Sequence, residues 1–89
     1  MAYRSKDLSA LAYANGFTLW HYRTTDSAAE VDNAGYFNGA SRMVRVGDFI
    51  MLSAGVDGAP SYGVAVVAAN ANGDVDVTNL TSFGAFNTD

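Results

Sequence analysis

The sequence predicts a mainly β domain: a small antiparallel barrel or sandwich of about four to six strands, with one short helical turn and an N-terminal arm. Three stretches carry that prediction. Val44-Arg45-Val46-Gly47-Asp48-Phe49-Ile50-Met51-Leu52 feeds a polar Gly-Asp corner into a run of large apolar residues, too short for a free-standing helix, and reads as a buried central strand. Residues 17–24 and 74–78 alternate with period two, as half-buried strands do. Asn72-Gly73 sits between two strand-like runs, the strongest short-range signal for a type I′ hairpin.

In chain order, residues 1–16 are weakly patterned and divide from the β domain at 17–89. Tyr3, Leu8, Leu11 and Tyr13 stand among small residues, and Arg4 with Lys6 forms the only net-positive cluster. The segment is either a frayed terminus or an arm that orders on a neighbour. Ser5 or Asp7 is placed to cap a short helix through Ala14, ended by Asn15-Gly16.

Along residues 17–24, Thr18, Trp20, Tyr22 and Thr24 point one way, and Leu19, His21 and Arg23 the other. Residues 25–43 are loop-rich, because Gly35 and Gly39 each cost about 1 kcal/mol inside a helix. Asp26 is expected to cap a brief turn through Ala29 and Glu30, and Asn38 a single turn over residues 39–43. Tyr36-Phe37 reads as an aromatic plug at one end of the core, with an exposed partner-gripping patch as the other reading. Residues 54–60 are a loop. Residues 61–69 are apolar on both faces, which predicts a strand covered on both sides. Val75 and Val77 should point inward, with Asp74, Asp76 and Thr78 outward. Leu80, Phe83 and Phe86 in the tail either close the core or reach a neighbour.

Composition narrows the function. The 89-residue chain is 49% apolar and only 16% charged, a low charge density for a free-standing soluble domain, so contact with another protein is expected. A net charge of −4 without a basic stripe disfavours nucleic acid, and no apolar run is long enough to span a bilayer. Without a continuous apolar leader, synthesis in the cytoplasm is expected. There is no cysteine for a disulfide or thiolate metal site. The single histidine, His21, has no second histidine or cysteine for a metal, and although serines are plentiful, Gly-x-Ser-x-Gly is absent and no partner to orient His21 can be identified. Asn70-Ala71-Asn72-Gly73-Asp74-Val75-Asp76 looks superficially like a calcium loop, but its glycine falls too early and no glutamate closes it. The expectation is a non-enzymatic protein with no metal and no cofactor.

The succession Leu19-Trp20-His21-Tyr22-Arg23-Thr24-Thr25-Asp26, Gly35-Tyr36-Phe37-Asn38, Val46-Gly47-Asp48-Phe49-Ile50 and Tyr62-Gly63-Val64 resembles a small domain of tailed-bacteriophage virions. That domain recurs in capsid decoration (cement) and head-fibre proteins, and the similarity spans residues 17–78. The resemblance implies a virion structural protein bound to the outside of an assembled head. Its partner would be the major capsid protein, and it would sit as a monomer or homo-trimer and stabilise the shell. The alternative is a receptor- or glycan-binding module of a phage head or tail fibre, using Trp20, Tyr22 and Tyr36 as a stacking face. The residues themselves, apart from the resemblance, nominate Tyr3, Arg4, Lys6 and Leu8 in the arm and Phe83 and Phe86 in the tail as partner contacts.

Overall fold

A computed structural model describes residues 3–58 and 60–83. Six strands form one open sheet: β1 (Leu8–Ala14), β2 (Phe17–Arg23), β3 (Phe49–Ala54), β4 (Ser61–Ala71), β5 (Asp74–Val77) and β6 (Thr81–Ser82). The order is β1-β2-β3-β4-β5, with β6 also paired to β4. The mainly β class is as expected, and β3 is the middle strand of the five. The sheet is mixed rather than antiparallel, because β2 and β3 run parallel, with Trp20 opposite Ile50 and Tyr22 opposite Leu52. A parallel pair needs a crossover. The loop-rich segment 24–48 supplies it, carrying α1 (Ala28–Val31) and a 3-10 turn, Asn38–Ala40.

Residues 3–16, the described part of the expected arm, join the body instead of standing off from it. Only Ser5–Asp7 turns, as a single 3-10 turn, and the expected helix to Ala14 is replaced by β1. Asn15 and Gly16, at φ 56° and 75°, make a two-residue turn between Ala14 and Phe17. They close a hairpin; they do not end a helix. Asn72 and Gly73, at φ 55° and 83°, close β4 onto β5 in the same way, as the sequence indicated.

The central strand starts five residues later than expected. Residues 45–48 form a tight turn, with the Asp48 N–H donating to the Arg45 carbonyl at 2.9 Å and Gly47 at φ 94°. Asp48 is 1% exposed, and its carboxylate accepts from Thr18 N (3.1 Å), Trp20 Nε1 (3.0 Å) and Arg45 N (3.0 Å). One side chain thus ties the start of β2 to the entry of β3.

The crossover covers one face of the sheet. Val31, Phe37, Ala40 and Val44 bury against Trp20, Tyr22, Ile50, Leu52, Ala65 and Val67. Ser27, not Asp26, caps α1, in a reciprocal capping box with Glu30. Asn38 is not a cap either: its Oδ1 accepts from Val75 N at 2.7 Å, fastening the crossover to β5. Asn70 Nδ2 fastens its far end, donating to the Ser41 and Val44 carbonyls. Along β5, Val75 and Val77 point in and Asp74 and Asp76 out, as the alternation indicated.

β6 pairs antiparallel with β4 at Gly63 and Val64. A Cβ on Gly63 would overlap the Thr81 carbonyl oxygen and press on Leu80. Gly63→Ala should therefore lower stability by about 2 kcal/mol or more in thermal unfolding, because backbone has to move. Asp48→Ala, which strands three donors, should cost about 3 kcal/mol or more. Near-wild-type melting of either variant would contradict these contacts.

Candidate docking face

Every fully buried sheet residue lies on the crossover side. The opposite side is built from alternate positions: Phe17, Leu19, His21 and Arg23 on β2, Phe49, Met51 and Ser53 on β3, and Tyr62, Val64 and Val66 on β4. None of these ten is fully buried. Phe49 is 42% exposed and Tyr62 48%. Phe83, whose N–H donates to the Tyr62 carbonyl at 3.0 Å, follows on this face by alternation and is 58% exposed. Phe17 and Phe49 pack edge to face at 5.1 Å. His21 Nε2 lies 3.2 Å from Ser53 Oγ, so its ring nitrogen is occupied by a neighbour on the same face.

Among the described residues, the double-sided cover expected for β4 is therefore present on one side only. The alternation of Leu19 and His21 and the two apolar faces of β4 marked this surface, but the sequence reading took both sides of β4 as covered. Its residues belong to no motif, so only their shared face reveals them.

The nominated contact residues separate. Tyr3 packs on Tyr22 and Phe37, with ring centroids 5.6 and 5.7 Å away, and Leu8 is 7% exposed. Both serve the body, because β1 brings them over the core instead of releasing them as an arm. Arg4 and Lys6 are exposed on the turn before β1, and Phe83 is exposed on the apolar face; Phe86 lies outside the described residues. The sugar-stacking set is not available as a platform. Trp20 is 7% exposed and Tyr22 0%, and the Tyr36 hydroxyl donates to Asp26 Oδ2 at 2.6 Å. Tyr36 and Phe37 plug the core as expected.

Behind them runs a polar chain. Arg4 N donates to the Tyr22 hydroxyl (3.0 Å), which lies 3.0 Å from the Tyr36 hydroxyl, and Tyr36 reaches Asp26. Burial, and then the bond to Asp26, raises the Tyr36 phenol above its ordinary value. The adjoining cleft, of about 90 Å³ between Arg4, Arg23 and Asp26, is too small for a drug-sized ligand, which needs at least about 300 Å³. Among the described residues no three His, Asp or Glu side chains converge as metal ligands.

Two measurements check this description. Val67→Thr, in the core, should cost roughly 1–3 kcal/mol, whereas Val64→Thr, on the open face, should cost less than about 1 kcal/mol. Equal losses would mean that the second face is covered. For Tyr36, the unfolded chain releases its proton near pH 10 while the folded chain holds it. Stability is therefore complete below pH 10 and falls as the pH climbs past it. Tyr36→Phe should be less stable at neutral pH but lose less between pH 9 and 11; an unchanged alkaline slope would exclude Tyr36 as the source.

Compared with protein-family models, curated proteins and solved structures, the chain matches none.

Proposed function

We propose that this protein docks, without catalysis, on the outside of an assembled capsid and reinforces it, and that the open sheet face is the surface that docks. The observation that carries the reading is one-sided burial. A three-strand face rich in phenylalanine, leucine, methionine, valine and tyrosine is only partly buried, with Phe49 and Tyr62 exposed, in a chain of net charge −4. Contiguous apolar faces of this kind mark protein interfaces. Docking would also supply the second layer that so short a chain lacks, since a partner that binds only the folded form stabilises it. The capsid as partner rests on the resemblance to decoration proteins; the face rests on the fold. Many copies on one shell would give modest individual contacts high avidity.

The test is co-sedimentation of the full chain with purified capsids of the virus that encodes it. Wild-type protein should decorate the shell, and Met51→Lys or Val64→Lys should weaken binding by about tenfold or more, because an unpaired ammonium would be buried. Decoration by both variants at wild-type strength would remove the face. Failure of the wild-type protein to bind would remove the capsid.

A further inference from the structure

The sheet has two kinds of edge. β5 presents Asp74 and Asp76, and β6 is two residues long. Acidic side chains and short strands are ways in which natural sheets blunt their edges. β1 has neither charge nor proline in Leu8-Ser9-Ala10-Leu11-Ala12-Tyr13-Ala14. Among the described residues it pairs only with β2, so its other side offers backbone donors and acceptors. Every side chain from Ser9 to Tyr13 is exposed, with Leu11 at 55% and Tyr13 at 67%. The one irregularity is a bulge at Leu11, between Ala10 and Ala12.

We propose that β1 pairs antiparallel with β1 of a second copy, about a two-fold axis that passes near Leu11 and stands normal to the sheet. The occupant follows from charge. At −4, most approaches of one copy to another set like charges together, whereas this strand is neutral along its whole length. A partner recognised by charge would find nothing on β1 to read. The bulge leaves Ala10 on the crossover side and turns Ala12 to the open side, so opposed residues share a face when the axis passes between Leu11 and Ala12. Leu11 then faces the partner's Ala12 and Ala10 the partner's Tyr13, and Asp7 and Lys6 fall opposite the partner's uncharged Gly16 and Phe17. No like charges meet, and the two bulges lie beside the axis. An isologous contact of this kind closes at two copies and cannot propagate as a fibre.

An axis normal to the sheet also sets both apolar faces on one side. The pair would present twice the docking surface of a single copy; that consequence rests on the proposed docking role, but the strand pairing does not.

The test is sedimentation equilibrium of the full chain over a concentration series, with no capsid present. Wild-type protein should dimerise. Leu11→Lys, which brings two ammoniums together beside the axis, should raise the dissociation constant by about tenfold or more, while Val64→Lys should leave it unchanged. In this cysteine-free chain, Leu11→Cys should form an intermolecular disulfide under mild oxidation, and Tyr13→Cys should not pair with itself. A wild-type monomer at every concentration would overturn the proposal. So would a dimer that survives Leu11→Lys and fails to cross-link at position 11, and loss of that dimer with Val64→Lys would move the contact to the open face.

Discussion

The fold depends on one buried carboxylate. Asp48 has to be dehydrated, and that is tolerable because three donors converge on it: two backbone N–H groups and the Trp20 indole. The turn at residues 45–48 aims it, and the aimed side chain sets β3 beside β2 in parallel. Parallel pairing forces a crossover, and the crossover becomes the layer that buries Trp20, Tyr22, Ile50 and Leu52. Asp48 also pairs through its backbone with Val67, so the same corner positions β4. Three strands and the core between them take their relative placement from this corner.

The same economy leaves the other side open. Among the described residues, the one covering layer takes residues 24–48. The other connections between strands are two two-residue hairpin turns, the loop at 55–60 and residues 78–80. The side chains on the uncovered face are nonetheless those of a core: Leu19, Met51, Val64 and Val66 would not look out of place among Ile50, Leu52 and Val67. That apolar face is the physical basis of the proposed docking role, whichever assembly receives it.

Much of this was legible in the sequence. Period-two alternation located β2 and β5; for β5 it also gave the inward pair Val75 and Val77, whereas for β2 it put Trp20 and Tyr22 on one face without saying whether that face is buried. Asn72-Gly73 announced its hairpin because it lay between two runs already read as strands. Asn15-Gly16 carries the identical signal, but Leu8, Leu11 and the alanines around it lack the β-branched residues that mark a strand. A turn chemistry common to helix ends and hairpins was therefore read as a helix end. The parallel register of β2 and β3 was hidden, since it is set by Asp48 across 28 residues to Trp20 and no local pattern records so distant a bond. Gly63 was visible as a residue but not as a point of close approach, which exists only once β6 pairs with β4. The open face was half legible. Two apolar sides to β4 called for two covers, of which the described residues supply one, and sequence alone does not say where a second would come from.

The most direct test of the docking account is methyl-resolved NMR of the full chain, with cross-saturation from added capsids. The account predicts saturation transfer to the methyls of Leu19, Met51, Val64 and Val66, with Val31, Leu52 and Val67 unaffected. Transfer confined to residues near Arg4 and Lys6, with the four sheet methyls silent, would place the interface elsewhere and leave the open face without a role.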